Sequence, residues 1–130
     1  MKTLRCILPS NTLSTTGALD IEIGGIAFDS RHVRKGDLFV ALSGQHIDGS
    51  AFIFDALERG AAAVVTESSR KNIEVPVVKV KDARQALSEI SDKFYDQPSQ
   101  KVKLVGITGT KGKTTITYLT QAILKKAFAH

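Results

Sequence analysis

The chain has 130 residues, 42% of them hydrophobic and 24% charged, which suits one ordinary globular domain with little left for a second. Its longest uninterrupted apolar runs, such as residues 61–65, are far too short to cross a bilayer, so no membrane partner is expected. A single cysteine excludes an internal disulfide framework and any cysteine-based metal site; we expect Cys6 to be a small apolar filler in a cytoplasmic protein.

The net charge of +5 is concentrated near the carboxyl end. Residues 98–130 contain six lysines and no acid, whereas residues 1–97 contain twelve bases and thirteen acids. The lysines surround a glycine-rich segment and are not interleaved with the aromatic side chains on which single-stranded nucleic acids stack. We therefore expect no nucleic-acid partner.

The first half of the chain predicts short strands separated by turns. Residues 1–20 carry Ser, Thr and Asn clusters typical of irregular structure, with one short helix expected over residues 4–8. Residues 21–28 predict a strand that a pair of glycines interrupts as a turn or bulge. The apolar run over residues 38–42 predicts a buried strand.

Strands then alternate with helices, which predicts the α/β class. Ser50 is the expected N-cap of a helix over residues 51–59, and Gly60 suits the left-handed position that ends it. Residues 61–65 and 75–80 predict two more buried strands.

The last predicted helix of this part begins at Asp82, which forms a capping-box pattern with Gln85, and ends near Tyr95. Its apolar side chains recur at helical spacing and predict a core-facing side. Residues 96–100 then have the composition of a linker between domains.

A glycine-rich segment near the carboxyl end carries the clearest chemical signal. Residues 102–107 predict a buried strand, residues 106–112 a glycine-rich turn, and residues 115–124 an amphipathic helix. This order is typical of phosphate-binding loops, in which backbone N–H groups and a helix amino terminus surround phosphate oxygens. Lys113 can reach the terminal phosphates of ATP or GTP, and the hydroxyl of Thr114 can bind Mg²⁺. The competing interpretation is a purely structural turn.

The spacing within this segment differs from the general pattern by one residue, because five residues rather than four separate Gly106 from Gly112. With that spacing, the run Gly-Thr-Lys-Gly-Lys-Thr-Thr over residues 109–115 resembles the ATP-binding loop of the Mur ligase family. A second set of residues resembles the amino-terminal domain of the same family. These residues are Asp29-Ser-Arg31, Gly36-Asp-Leu-Phe-Val-Ala-Leu-Ser-Gly44, Asp48-Gly49, Phe52, Ala56 and Gly60-Ala61.

Within the family, Lys93-Phe-Tyr95, Pro98-Ser99 and the Gly-Thr pair of the loop are most similar to the MurE branch. The resemblance implies an ATP-dependent ligase of peptidoglycan precursor synthesis. Such an enzyme adds a diamino acid, meso-diaminopimelate or L-lysine, to UDP-N-acetylmuramoyl-L-alanyl-D-glutamate through an acyl phosphate. It also implies a monomer with two parts, a UDP-precursor-binding α/β domain at residues 1–97 and the opening strand, P-loop and helix of a central ATPase domain at residues 98–130.

The resemblance assigns roles residue by residue. Phe28 and Ser30 would contact the uridine, and Gln45, His46 and Ile47 would hold the uridine and diphosphate. In the second part, ATP and Mg²⁺ would be bound by Gly109, Thr110, Lys111, Gly112, Lys113, Thr114 and Thr115, with Lys113 as the catalytic cation and Thr114 as the metal ligand.

Several alternatives remain at this stage. Arg31 suits either a diphosphate contact or a structural ion pair with Asp29 or Asp37. The whole chain also fits a MurF-type ligase that adds D-Ala-D-Ala, or a non-catalytic module that binds UDP-sugars. Because no carboxylate follows the loop to hold magnesium, we expect the chain to be truncated and inactive alone.

Overall fold

The computed structural model describes residues 2–44, 48–69, 72–103 and 105–128. The chain forms two compact units, Met1–Pro98 and Ser99–His130. The first unit contains all the described strands, and the second contains one long helix. None of the helices in the described ranges has both the length and the apolar character needed to cross a membrane.

The first unit is a mixed α/β structure, as predicted. Its strands are β1 (Lys2–Thr3), β2 (Thr12–Thr16), β3 (Glu22–Ile23), β4 (Ile26–Ala27), β5 (Leu38–Val40), β6 (Ala63–Thr66) and β7 (Val77–Val80). Its α-helices are α1 (Leu4–Ile7), α2 (Ile53–Glu58) and α3 (Ala83–Phe94). Short 3₁₀ turns span Ser30–His32, Gly49–Phe52 and Pro98–Gln100.

A five-stranded sheet with the order β2-β7-β6-β5-β4 organises this unit. Strands β4, β5, β6 and β7 are parallel, and β2 pairs antiparallel with β7. Strands β1 and β3 form a separate antiparallel pair. The carboxyl ends of the parallel strands therefore meet at one edge of the sheet, and loops from that edge can converge on a ligand.

The central strands are buried on both faces because helices cover both sides of the sheet. Side chains alternate between faces along a strand. Leu38 and Val40 accordingly join the core formed with α1 and α3, whereas Phe39 joins the core formed with α2. Phe39 lies in register with Val64 of the neighbouring strand. The buried strand predicted over residues 38–42 is confirmed, and its regular part ends at Val40.

Helix α3 begins as the sequence predicts. The Asp82 Oδ1 atom accepts the Gln85 backbone N–H at 2.9 Å. The Gln85 side chain, however, donates to Glu89 Oε1 at 2.8 Å rather than reaching back to the cap, so only half of the capping box forms. Gly60 has a φ of +94°, the left-handed conformation predicted after the preceding helix.

The predicted N-cap at Ser50 is wrong. The cap is Asp48, whose Oδ1 accepts the Ser50 backbone N–H at 2.9 Å. The turn it caps, Gly49–Phe52, is 3₁₀ and passes directly into α2. The ionised carboxylate of Asp48 is a strong acceptor for the backbone N–H of Ser50, so the turn begins directly after Asp48 and already includes Ser50.

Two predictions for the amino-terminal residues are also wrong, although the short helix is confirmed as α1. Residues 12–16 form strand β2 rather than irregular structure. This is an exposed edge strand, so its threonines satisfy β-propensity without the apolar alternation that marks a buried strand. Cys6 is exposed rather than a core filler, and its Sγ accepts a hydrogen bond from the Thr3 hydroxyl at 3.2 Å.

The second unit contains helix α4 (Lys113–Ala127), which begins two residues before the predicted start and extends beyond residue 124. The strand predicted over residues 102–107 is wrong, since none of the described residues there is in a strand. The side chains of Val102 and Val105 are 57% and 65% exposed. A buried strand needs neighbouring strands to pair with, and the described part of this unit has none.

Candidate functional site

A concave pocket of about 580 Å³ lies in the first unit, at the carboxyl ends of β4 and β5. Its walls come from the residues that follow β4, from the end of β5 and from the turn leading into α2. The lining residues are Phe28, Asp29, Ser30, Arg31, Phe39, Leu42, Gly49, Phe52 and Asp55. Open parallel sheets bind ligands at this edge, so the pocket is the candidate site of this unit.

Two aromatic side chains line the pocket and remain exposed. Phe28 directly follows β4 and is 62% exposed, and Phe52 ends the turn before α2 and is 42% exposed. Large apolar rings of this kind present flat faces on which a planar ligand group can pack. Phe52, one of the residues that carry the family resemblance, is therefore part of the candidate site.

Asp29 and Arg31 form a tight ion pair beside the pocket. The guanidinium donates from Nε to Asp29 Oδ1 at 3.0 Å and from Nη2 to Oδ2 at 2.6 Å. The same carboxylate accepts the Arg31 backbone N–H at 3.0 Å, and these hydrogen bonds hold the pKa of Asp29 far below its usual range. Asp37 instead accepts the Arg34 backbone N–H at 2.9 Å. Of the roles considered for Arg31, the structure shows pairing with Asp29.

Ser30 lies deeper in the wall and is only 5% exposed. The pKa of Asp55 is lowered by hydrogen bonding with the Ser30 side chain first and with Arg59 next. Arg59 Nε donates to Asp55 Oδ1 at 3.2 Å. No sequence motif pointed to Asp55. It lies in the first turn of α2 and lines the pocket because of the way in which that helix packs.

Gly49 allows the wall to close against the end of β5. Its backbone N–H donates to the Leu42 carbonyl oxygen at 3.1 Å. A β-carbon on residue 49 would lie 2.4 Å from that oxygen, so only glycine fits this approach. Asp48 further braces the turn, because its Oδ2 accepts the Ser50 hydroxyl at 2.5 Å.

The loop that follows β5 is anchored at both described ends. Ser43 and Asp48 form an isolated antiparallel bridge. The Ser43 hydroxyl donates to Glu67 Oε2 at 3.0 Å, and Glu67 Oε1 accepts the Ala83 backbone N–H at 2.7 Å. The predicted substrate-binding residues Gln45, His46 and Ile47 belong to this loop and lie outside the described residues.

The glycine-rich segment of the second unit, residues 106–112, is exposed except at Ile107, which is half-buried. Gly109 has a φ of +150° and Gly112, which precedes α4, a φ of +78°. Among the described residues, no side chain caps the helix at Gly112. A β-carbon on Gly106 or Gly112 would meet none of the described neighbouring atoms within 4 Å, so the described part of this unit leaves space beside the segment. Uncapped N–H groups at the start of a 15-residue helix, next to open space, suit an anion.

The predicted ligand-binding side chains of this segment lie at and just before the start of α4. Lys113 is the first residue of α4, and its Nζ donates to the Gly109 carbonyl oxygen at 2.5 Å. Thr114 and Thr115 follow in the first helical turn and are exposed, as are Thr110 and Lys111. In the described ranges, no group of three or more His, Cys, Asp or Glu side chains is placed to hold a metal ion.

A family model described as "Mur ligase family, catalytic domain" matches residues 22–95, more than half of the chain. This chain belongs to the Mur ligase family. The matched region contains the whole pocket of the first unit and ends before the glycine-rich segment.

Individual relatives refine the placement of this Mur ligase chain. It is 49% identical over 116 residues to the UDP-N-acetylmuramoyl-L-alanyl-D-glutamate--2,6-diaminopimelate ligase of Geobacter sulfurreducens, covering 88% of the chain and 23% of that protein. The resemblance to MurE is thereby confirmed. The chain spans between a fifth and a quarter of the length of the curated relatives that it matches.

Solved structures of the family share the fold. A crystal structure of MurF from Acinetobacter baumannii matches with a TM-score of 0.62 and 32% identity, over 80% of this chain and 22% of that one. MurF of Thermotoga maritima, solved in complex with ADP, matches with a TM-score of 0.56 and 32% identity, over 69% of this chain and 20% of that one.

Proposed function

We propose that this chain is the substrate-binding part of a MurE-type ligase. The complete ligase uses ATP to join a diamino acid to UDP-N-acetylmuramoyl-L-alanyl-D-glutamate in the cytoplasm. The support is the 49% identity to a relative named for adding 2,6-diaminopimelate. Because the chain spans 23% of that relative, the reaction belongs to a complete ligase, and the 130 residues alone bind substrate without turnover. Either meso-diaminopimelate or L-lysine fits this proposal, and the working unit is a monomer.

The pocket of the first unit is the observation that carries the proposal. Its exposed rings, Phe28 and Phe52, suit the faces of a nucleobase, and Ser30 offers a polar atom to the edge of the base. The charged groups around them are already paired, since Asp29 binds Arg31 and Asp55 accepts from Arg59. A site whose charges are internally satisfied favours a neutral base over a phosphate.

The diphosphate is then assigned to the loop after β5. We assign Gln45, His46 and Ile47 to the uridine and its diphosphate, because the described ends of their loop, Ser43 and Asp48, border the pocket residues Leu42 and Gly49. Amide and imidazole groups held between anchored loop ends are suitable hydrogen-bond donors for phosphate oxygens.

The glycine-rich segment is proposed to bind ATP. When bound, ATP supplies the phosphoryl group that activates a carboxylate for amide formation. Backbone N–H groups over residues 109–112 would hold phosphate oxygens, and the ammonium of Lys113 would neutralise their charge. Thr114, with help from Thr115, would offer a hydroxyl to Mg²⁺. The residues fit this role because no described side chain caps the helix start and the described neighbours leave space beside it.

In this proposal residues 1–97 form the UDP-precursor domain and residues 98–130 the start of the ATP-binding domain. A MurF-type ligase that adds D-Ala-D-Ala is the second candidate, and the TM-score of 0.62 to a MurF structure favours it. The sequence identity favours the MurE type, since it is 49% to the 2,6-diaminopimelate ligase and 32% to the D-alanyl-D-alanyl ligase. A non-catalytic module that binds UDP-sugars is the third.

Calorimetric titration of the chain with UDP, with UDP-N-acetylmuramoyl-L-alanyl-D-glutamate and with MgATP, each separately, tests the proposal. Saturable binding of the UDP compounds, together with an absence of ATP hydrolysis, is expected. Binding of MgATP but of no UDP compound would contradict the assignment of the pocket. Measurable hydrolysis would contradict the claim that the chain alone is inactive.

A further inference from the structure

The carboxylate of Glu67 joins residues that follow three neighbouring strands of the sheet. Glu67 directly follows β6, which lies between β5 and β7. Ser43 lies three residues after the end of β5, and Ala83 lies three residues after the end of β7. Because these strands are parallel, their carboxyl ends meet at one edge of the sheet, and the three residues come together there. This is the edge at which the pocket lies.

Each oxygen of the Glu67 carboxylate has its own partner. Oε2 accepts the hydroxyl of Ser43 at 3.0 Å, and Oε1 accepts the backbone N–H of Ala83 at 2.7 Å. Ala83 is the first residue of α3 and is buried, whereas Ser43 is exposed in the loop after β5. The carboxylate therefore ties a loop residue to the fixed start of a packed helix.

The contact at Ser43 is connected to the pocket wall through the backbone. Ser43 and Asp48 form an antiparallel bridge, and beside it the Gly49 N–H donates to the Leu42 carbonyl oxygen at 3.1 Å. Leu42 and Gly49 line the pocket, while Ser43 and Glu67 do not. Glu67 therefore lies behind the wall and can act on the pocket only through the residues that it holds.

A hydrogen bond to a carboxylate suits this task. Such bonds are roughly twice as strong as bonds between neutral groups, and Glu67 is half-buried, so water competes less for its oxygens. Exposed loop residues such as Ser43 open locally at little cost in free energy unless other groups hold them. A pocket that spends less time in its binding geometry binds its ligand more weakly in proportion. The bond between Ser43 and Glu67 therefore raises the affinity of the pocket.

We propose that Glu67 is a positioning residue, which acts through Ser43 to hold the pocket wall at Leu42 and Gly49 in the geometry that binds the UDP end of the substrate. This inference rests on the proposed function of the pocket, and it adds a residue that lies outside the pocket lining. The bond to Ala83 supplies the fixed point against which the loop is held.

The test compares the UDP affinity of variants, from NMR titration of the ¹⁵N-labelled chain, with their stability, from urea unfolding. Ser43→Ala removes the contact with the loop and leaves the contact with Ala83. It should weaken UDP binding by about fivefold and change the free energy of unfolding little. Glu67→Ala should weaken UDP binding equally and also lower the free energy of unfolding, because the Ala83 N–H loses its acceptor. The double variant should bind UDP no more weakly than either single variant.

Two further variants separate positioning from a general effect of charge or stability. Glu67→Gln removes the charge, but its amide can still accept the Ala83 N–H and donate to the Ser43 oxygen, so UDP affinity should stay within about twofold of the wild type. Glu89→Ala is the matched control. Glu89 also accepts a backbone N–H and a serine hydroxyl, both from Ser10, at 2.6 Å and 2.8 Å, and it lies outside the pocket lining. This variant should leave UDP affinity unchanged.

The outcomes separate this inference from the function on which it rests. Wild-type UDP affinity in Ser43→Ala, or losses that add in the double variant with Glu67→Ala, would overturn the inference alone. Equal losses in Glu67→Gln or Glu89→Ala would also overturn it. If Glu67→Ala fails to fold, Ser43→Ala and Glu67→Gln still decide the question. Failure of the wild-type chain to bind UDP at millimolar concentration would overturn both the inference and the assignment of the pocket.

Discussion

The backbone of Gly49 lies so close to Leu42 that a β-carbon on residue 49 would stand 2.4 Å from the Leu42 carbonyl oxygen and 2.7 Å from its nitrogen. Both obstacles are main-chain atoms at the end of a buried strand, so neither can move aside without disturbing the sheet. This contact joins the turn before α2 to the end of β5 and thereby fixes the shape of the pocket wall.

Gly49→Ala should therefore lower the free energy of unfolding by about 1–3 kcal/mol, the usual effect of forcing extra volume into a packed site. It should also weaken binding of UDP. Urea unfolding and a UDP titration measure the two effects. Gly24→Ala is the matched control, since its β-carbon would lie 3.6 Å from the nearest atom, an ordinary contact. Equal stability of the two variants would contradict the role given to the Gly49 contact.

Lys113→Ala should weaken binding of MgATP to the chain by at least about tenfold, because it removes a charge-assisted hydrogen bond to phosphate. Binding of UDP should be unaffected. Lys126→Ala is the control: it removes the same charge from the last turn of the same helix. Equal losses of MgATP affinity in the two variants, measured by calorimetry, would show that Lys113 acts only through general electrostatic attraction and would contradict the specific contact with phosphate.

The Asp29–Arg31 pair predicts a loss of stability in acid. The pKa of Asp29 is lower in the folded chain than in the unfolded chain. The contribution of the ionised Asp29 to the free energy of unfolding is therefore fully present above the unfolded pKa of about 3.9, and it is lost as the pH falls toward the folded pKa. Asp20, Asp55 and Glu89 are shifted in the same direction and add to the effect.

Chemical denaturation at pH 7 and at successively lower pH measures this loss. Asp29→Asn should flatten the dependence below about pH 4, and Arg31→Gln should flatten it by a smaller amount, because the backbone N–H of residue 31 still binds the Asp29 carboxylate. The double variant should behave like Asp29→Asn alone. A curve unchanged by both substitutions would show that the pair does not contribute.

Asp82→Ala should lower the free energy of unfolding by about 1 kcal/mol, because it removes the side-chain acceptor of the Gln85 N–H at the start of α3. Arg84→Ala, an exposed change two residues further on, is the control and should have an effect within about 0.5 kcal/mol. Denaturant unfolding of both proteins gives the comparison, and equal values would show that the cap contributes no stability.

Much of the first unit could be predicted because its signals are local. The buried run at residues 38–42 and the Asp82 cap each depend on a few adjacent residues whose chemistry is unambiguous. The pocket residues Phe28 and Ser30 came from the family resemblance, and the structure places both in one pocket. Their binding roles remain predictions.

The features that sequence reasoning missed depend on partners elsewhere in the chain. Strand β2 exists because Thr12 and Thr16 pair with β7, more than sixty residues away, and nothing in its own pattern marks it. The strand predicted over residues 102–107 failed for the opposite reason, because the described part of the second unit offers this apolar run no neighbouring strand to pair with. Asp55 entered the site only through the packing of α2.

We propose that the pocket beside β4 and β5 holds the uridine end of a UDP-linked precursor. The most direct measurement is a titration of the ¹⁵N-labelled chain with UDP, followed by amide chemical shifts. Saturable shifts are expected at Phe28, Ser30 and Gly49, and they should be lost in a folded Ser30→Ala, Phe28→Ala double variant. Saturable shifts confined to residues 109–115, with the pocket amides unmoved, would contradict it.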